Sequence, residues 1–233
     1  MSHILIVTTS HSAIPGAAEP TGVWFEELAA PYYAFIDAGA SVTIASIAGG
    51  AVPIDGRSLT ESPLPATVTR FQNDTKAMHA MTHSKPITNL DPAPFDAIFL
   101  PGGHGTMWDL PGNKALGIAI TRFNAAGKIV AAVCHGPAAF AGLKGADGAD
   151  FIKGRSITCF TDSEERAVKL DDKVPFMLET TLRAQGAKIS LGADFAPHII
   201  VDGNLLTGQN PKSSAPLADA VITALKARPA QAA

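Results

Sequence analysis

Cysteine is nearly absent from this chain: 233 residues contain two. No disulfide framework can staple a domain of this size with one bridge, and a chain this long closes an apolar core without one. Both cysteines have strand-like neighbours, so a reducing compartment, the cytoplasm, is expected. An excess of one charge is missing too, with 18 basic against 21 acidic side chains and a net charge of −3. The first 100 residues carry 4 basic and 9 acidic groups, the remainder 14 and 12. Neither portion is basic enough to track a phosphate backbone or an anionic lipid surface, so nucleic-acid and membrane partners are not expected. No apolar run approaches the ~18 residues of a membrane span. The run Ile4 to Val7 lacks a basic stretch before it and is too short for a secretory signal. Neither G-x-G-x-x-G nor G-x-x-x-x-G-K-[ST] occurs, which removes the usual phosphate cradles. There is no internal repeat. Charged residues make up 17% and hydrophobic ones 46%, which excludes a disordered polyelectrolyte.

What is present is an alternation of strands and helices. Residues 3–9 (HILIVTT) form a short β-branched run. Residues 23–38 space their apolar groups for a helix, which Gly39 ends. Residues 41–47 (SVTIASI) are strand-like again. Residues 50–94 change character, with six prolines, many polar groups and no sustained period. That stretch reads as an excursion within a single domain, 1–233, because it is too poor in apolar residues to fold alone. The alternation resumes with FDAIFL (95–100), a helix over 113–126 and the fully apolar IVAAV (129–133), followed by a small-residue helix. One more strand is expected over 156–160, a hairpin over 199–206 around Asp202-Gly203, and a closing helix over 215–227. Continuous apolar strands belong in a parallel sheet buried on both faces. The expected fold is a three-layer α/β/α sandwich, flavodoxin-like, with a mostly parallel sheet.

In such sheets ligands gather beyond the carboxyl ends of the strands. Two strands here end in unusual loops, Pro101-Gly102-Gly103-His104-Gly105 and Cys134-His135-Gly136-Pro137. Ala132 and Gly136 flank Cys134 at the spacing of a nucleophile elbow, where larger neighbours would collide. The helix after the elbow points its N-terminus at the sulfur and should lower the thiol pKa. The Gly102 and Gly103 amides are placed to meet a developing oxyanion. His104, at a strand end, belongs to the site mouth or orders its loop. Trp108 walls the pocket or packs beneath that loop. Cys159, inside the apolar 156–160 run, is a core residue. His79 and His83 stand four apart, as metal ligands on one helical face would, but no third ligand accompanies them and no metal is expected.

The segments Ala131-Ala132-Val133-Cys134-His135-Gly136-Pro137 and Pro101-Gly102-Gly103-His104-Gly105-Thr106-Met107-Trp108-Asp109 closely resemble the ThiJ/PfpI superfamily, relatives of the class I glutamine amidotransferases. Thr21-Gly22-Val23-Trp24-Phe25-Glu26-Glu27, Phe160-Thr161-Asp162 and Thr207-Gly208-Gln209-Asn210-Pro211 are similar to its heat-shock chaperone and glutathione-independent glyoxalase branch. The resemblance implies a Cys–His–acid site in Cys134 and His135, joined by a first-helix glutamate six residues after Thr21, which is Glu27 rather than Glu26. A carboxyl buried beside a sulfur has its pKa raised and can shuttle a proton. The third member lies near Thr161. Thr161-Asp162-Ser163-Glu164 reads as a capping box, which leaves Glu165 free to reach His135, with Asp162 as the alternative.

The implied activity is conversion of methylglyoxal or glyoxal plus water to lactate or glycolate, with no cofactor. The rival readings are a stress chaperone holding unfolded clients, or a protein deglycase, and a cysteine amidohydrolase or peptidase using the same triad. Members of the branch often form homodimers.

Overall fold

The computed structural model describes residues 1–17 and 19–228. Strand β1 (His3–Thr8) leads through a long loop into α1 (Phe25–Asp37), which returns the chain to β2 (Ser41–Ser46). The excursion carries α2 (Ala66–Asn73), α3 (Thr75–Thr82) and the two-residue β3 (Lys85–Pro86). Then come β4 (Ala97–Leu100), α4 (Thr106–Asp109), α5 (Lys114–Ala125) and β5 (Ile129–Val133). The remainder adds β6 (Ser156–Ile157), α6 (Asp162–Ala167), α7 (Leu178–Ala184), β7 (Lys188–Ile189), the hairpin β8 (Ile199–Asp202) and β9 (Leu205–Gly208), and α8 (Ser214–Ala227).

Seven strands form one sheet in the order β3-β2-β1-β4-β5-β9-β8. Every pairing in it is parallel except β8 with β9. Alternation of side chains across the pleat sends successive residues to two separate cores. Leu5, Val7, Ile98 and Leu100 meet α5 residues Leu116, Ile120 and Phe123 on one face. Ile4, Ile6, Ala97 and Phe99 meet Leu28 and Phe35 of α1 and Leu217 and Val221 of α8 on the other. This is the expected three-layer, mostly parallel, flavodoxin-like sandwich.

Three local expectations are corrected. The strand read over 156–160 shortens to Ser156–Ile157 and leaves the main sheet, pairing instead with β7 in a second, two-stranded one. Its continuation is spent on single tethers: the Thr158 amide donates to Thr207 Oγ1 at 2.8 Å and the Phe160 amide to the Cys134 carbonyl at 2.8 Å. The small-residue helix after the elbow is a 3₁₀ segment, Gly136–Phe140, in which the Ala138 amide bonds to the His135 carbonyl three residues back. The excursion, read without periodicity, contains two eight-residue helices. Each buries only two side chains, Val68 with Phe71 and Ala77 with Met81, too few turns to print a period on the sequence.

The excursion is stitched to the sheet's carboxyl edge. Val23 pairs in parallel with Ile54, its amide donating to the Pro53 carbonyl and its carbonyl accepting from Asp55. Phe71 packs edge-on against Phe25 and Tyr32 of α1, with ring centroids 5.4 and 5.1 Å apart. Gly22 permits the stitch, since a Cβ there would lie 2.1 Å from the Pro53 carbonyl oxygen. Gly22→Ala should therefore destabilise by about 1–3 kcal/mol, the usual cost of forcing atoms into a filled space. Thermal melts should show a Tm lowered by several degrees, and an unchanged Tm would refute the stitch.

Candidate active site

Cys134 follows β5 directly and adopts φ 59, the left-handed region that non-glycine residues avoid. Such a conformation costs about 1–3 kcal/mol and persists only where its surroundings fix it. Here the Cys134 amide donates to the Gly208 carbonyl at 2.9 Å, while its carbonyl accepts from Phe160. The small neighbours are required: a Cβ on Gly136 would stand 2.2 Å from the Leu100 carbonyl oxygen. The elbow expected from the sequence is present.

From the sulfur a chain of polar contacts runs inward and then across to the excursion. His135 Nδ1 lies 3.2 Å from Cys134 Sγ. His135 Nε2 is 2.7 Å from Glu165 Oε2, and Glu165 Oε1 is 2.9 Å from His104 Nε2. Arg57 Nη2 reaches His104 Nδ1 at 3.0 Å, and its Nε donates to Asp55 Oδ1 at 2.9 Å. Asp55 Oδ2 accepts from Thr21 Oγ1 at 2.8 Å. Burial alone would raise the Glu165 pKa, but the two histidines bonded to its oxygens outweigh it and hold the carboxyl well below the usual range. Burial together with His135 drops His104 to about 4, so that ring is neutral at physiological pH. His104, His135 and Glu165 also offer three ligand atoms within 4.8 Å of one another. Glu165 joins the two histidines, one hydrogen bond from each of its oxygens.

Glu27 approaches the sulfur from the opposite side. Fully buried in the first turn of α1, it accepts the Gly102 amide on Oε2 at 2.7 Å. Its other oxygen, Oε1, is buried without a hydrogen-bond partner, and the carboxyl stands beside the Cys134 sulfur. Burial lifts the Glu27 pKa to about 8, partly offset by Cys134 and the Gly102 amide, so the group is protonated at neutral pH. A carboxylic acid that accepts on Oε2 carries its proton on Oε1, the oxygen left free to meet charge that develops at the sulfur. Glu26 is half-buried and faces the charge of Glu61 instead.

The structure decides between the alternatives and corrects several expectations. Glu165, not Asp162, meets His135; the Thr161–Glu164 capping box forms, and Asp162 accepts from Thr180. Gly102 does not face an oxyanion, because its amide is spent on Glu27; the Gly103 amide bonds toward Cys134. The lowered thiol pKa is also corrected. Burial, then the Glu27 charge, push Cys134 upward, and a single 3₁₀ turn supplies little dipole to oppose them. Trp108 does not wall the site but stacks on His11, with centroids 5.1 Å apart and planes 11° apart. The wall belongs to Trp24, with Phe160, Phe195 and Arg57, around a cavity of 290 Å³ over Cys134. His79 and His83 stack on each other, centroids 4.2 Å apart, far from a ligand set, and Cys159 is buried in the core. Arg57, Asp55 and Trp24 were missed. Asp55 and Arg57 lie in the stretch read without periodicity, and nothing in their spacing points to the elbow.

Fold and site together define a flavodoxin-like α/β protein with a cysteine elbow, a neighbouring histidine and a first-helix carboxyl beside the sulfur. Within that class the chain belongs to the DJ-1/PfpI family, which it matches over residues 21–224. It is 32% identical to the glutathione-independent glyoxalase HSP31 of Saccharomyces cerevisiae, across 96% of this chain and 97% of that one. The crystal structure of glyoxalase III from Candida albicans superposes with a TM-score of 0.89 at 29% identity, covering 96% of this chain and 97% of the other. The Rapid Encystment Protein 24 kDa of Francisella tularensis superposes with a TM-score of 0.93 at 36% identity, covering 97% and 99%.

Two expectations follow from Glu27. Its carboxyl, ordinarily near 4.5, is held at about 8 in the folded chain. The native state therefore binds a proton that the unfolded state has lost, and stability falls as pH rises toward 8. His104 and Glu165, whose pKa values are lowered, act in the opposite sense below 6.5, so the window from 6.5 to 8 isolates Glu27. Denaturant melts should show Glu27→Gln flattening the slope there; an unchanged slope would mean that Glu27 is ionised. Glu27→Gln should also cost about 10²–10⁴-fold in kcat, the usual range for an acid–base group, because an amide cannot return a proton. Glu26→Gln should stay within a few-fold of the parent in the same steady-state assay.

Proposed function

We propose that the chain is a glutathione-independent glyoxalase acting on small dicarbonyls, methylglyoxal or glyoxal, through Cys134. The observation that carries this reading is the flanking of one sulfur by two proton carriers, His135 Nδ1 at 3.2 Å and protonated Glu27. An internal redox isomerisation needs two such groups on a carbon bonded to the sulfur. An amidohydrolase or peptidase needs instead one base and a free oxyanion hole. The diversion of the Gly102 amide onto Glu27 counts against that rival.

The geometry supports the following course. Glu165 accepts from His135 Nε2–H, which leaves the lone pair on Nδ1 facing the thiol. His135 takes the thiol proton as the sulfur bonds to the aldehyde carbon, and the carbonyl oxygen becomes a hydroxyl, giving a hemithioacetal. A base then removes the hydrogen from that carbon, and the electron pair forms a carbon–carbon double bond as the adjacent carbonyl oxygen gains a proton. The resulting enediol is reprotonated on the second carbon, and the first collapses to a thioester. Oxidation level thus passes from one carbon to the next with no external electron carrier. Water attacks the thioester, the carbon–sulfur bond breaks, the sulfur recovers its proton, and a 2-hydroxy acid leaves. Protonated Glu27 gives its proton to the carbonyl oxygen as the hemithioacetal forms, and, as the carboxylate, then takes the hydrogen from the first carbon and returns it to the second. The Gly103 amide, which bonds toward the sulfur, offers a donor to oxygen charge as it develops.

The test is formation of lactate from methylglyoxal with no glutathione present. Cys134→Ala should reduce the rate to background while leaving the thermal melt near that of the parent, since the substitution removes one atom and keeps the elbow backbone. Full activity in Cys134→Ala would overturn the covalent route. Release of ammonia or peptide fragments by the parent, without lactate, would favour the hydrolase.

A further inference from the structure

Arg57 takes no part in the chemistry above. It comes from the excursion, its side chain is 28% exposed, and it lines the cavity over Cys134 while bonding to the relay behind it. We infer that Arg57 is a positioning residue: by donating to His104 Nδ1 it locks that ring in the tautomer that donates to Glu165, and so keeps the carboxylate an acceptor for His135. The inference rests on reading Cys134 and His135 as the reacting pair.

The argument is one of donors and acceptors. A guanidinium has five N–H donors, no acceptor, and a permanent charge. With Nη2 3.0 Å away, His104 Nδ1 must hold a lone pair, so the ring proton resides on Nε2, 2.9 Å from Glu165 Oε1. Glu165 then receives two N–H bonds, one per oxygen, and both of its oxygens point at histidines. Arg57 itself has little freedom. Asp55, fully buried, grips Nε and Nη2 and is held in turn by Thr21 Oγ1 at 2.8 Å and the Arg57 amide at 3.0 Å. The charged or titratable groups facing His104 are Arg57, Glu165 and His135, whose ring centroid lies 4.1 Å away, with Asp55 behind Arg57; Phe160 closes the remaining side. Burial and these neighbours keep His104 neutral, with a pKa of about 4. Removing Arg57 frees Nδ1 to take a proton. A proton on Nδ1, in the other tautomer or in an imidazolium, would change what Glu165 receives from His104 and weaken His135 as the base for the thiol.

The experiment has a part that needs no variant. In ¹⁵N-edited spectra of the parent protein, His104 should carry its proton on Nε2 and stay neutral from about pH 5 upward, well below an ordinary histidine. Alkylation of Cys134 by iodoacetamide is then followed against pH in the parent, Arg57→Lys and Arg57→Met, beside methylglyoxal kinetics. Arg57→Met should raise the His104 titration above that of the parent, since one of the causes that lowers it is gone, and slow the alkylation of Cys134 at neutral pH. It should lower kcat by about 10–100-fold, the range for partners that orient a reacting group, with KM little changed. Arg57→Lys, with a donor that reaches only one partner at a time, should recover part of the loss. A parent His104 protonated on Nδ1, or titrating near 6.5, overturns the inference whether or not the variants fold. An Arg57→Met that changes only Tm, or only KM, overturns it too, leaving a tether in the first case and a substrate contact in the second. If the parent forms no lactate, the glyoxalase reading falls, while the spectra and the alkylation profile still decide the role of Arg57.

Discussion

A carboxyl group is buried completely against a backbone amide at the end of β4, and the rest of the site is built around that contact. Glu27 has no exposure, and one of its oxygens is committed to Gly102. An ionised carboxylate there would be left with no cation beside it, at a cost of several kcal/mol, so the group keeps its proton beside the sulfur. The approach is possible because residue 102 has no side chain. A Cβ there would lie 2.6 Å from the His135 amide nitrogen and 2.9 Å from Glu27 Oε2. Gly103 serves the neighbouring contact, with φ 97 and a phantom Cβ 2.3 Å from the Gly22 carbonyl oxygen. Three segments distant in sequence, the T-G-V loop, the Pro101-Gly102-Gly103 turn and the elbow, therefore meet at backbone contact. Each needs the small residues of the others.

That mutual fit explains which parts of the site were legible. Elements with a strong local signature read correctly: the apolar strands, the helix ending at Gly39, the capping box at Thr161, and a cysteine between small residues at a strand end. Family resemblance then separated Glu27 from Glu26, which helix-terminus preference alone leaves equal. What failed to read was partnership. Gly102 was placed correctly at the site, but its amide has one donor, and the sequence does not show that Glu27 occupies it. The Cys134 pKa was misjudged for the same reason. A helix dipole was credited where a 3₁₀ turn forms, and burial of the sulfur, followed by the acid beside it, carries the larger effect. Trp108 and Trp24 flank the same glycine turn from two directions, and only the stacking of Trp108 on His11 tells which one is left for the cavity.

The excursion was the least legible segment and contributes more than its composition suggested. It is polar, proline-interrupted and assembled from helices too short to show a period, yet it inserts Arg57 and Thr60 into the cavity wall. Its attachment is a two-sided backbone pairing at Val23, immediately before the helix that carries Glu27. Motion of the excursion away from the sheet would therefore disturb the wall of the cavity and the first turn of α1 together. On the far side, buried Glu164 plays the matching part. Its side chain accepts from the amides of Thr161 and Phe195 and from the amide groups of Gln209 and Asn210, so the loop bearing Phe195 is pinned to the helix bearing Glu165. Both walls of the cavity are thus fastened to elements that hold a proton carrier.

The burial that raises the thiol pKa also bears on why such a site works with a thiol of its own. A free thiol must find the aldehyde in solution, and the hemithioacetal must then be bound in the correct pose. A sulfur fixed at a strained elbow meets the carbonyl already oriented, and well-oriented intramolecular reactions reach effective molarities of about 10⁵–10⁸ M. The cost is that a buried sulfur is a poor thiolate at rest. His135 meets that cost by taking the proton only as the carbon–sulfur bond forms, and Glu27 by facing the sulfur as a neutral acid rather than a charge. A resting thiolate beside an ionised Glu27 would place two negative charges in contact in a buried pocket. A resting thiol beside a protonated Glu27 places none there, and the charge that appears during reaction is carried by groups already connected through Glu165 to His104. The upward-shifted cysteine is therefore consistent with nucleophilic chemistry in this fold, provided that the proton leaves along the relay in step with bond formation.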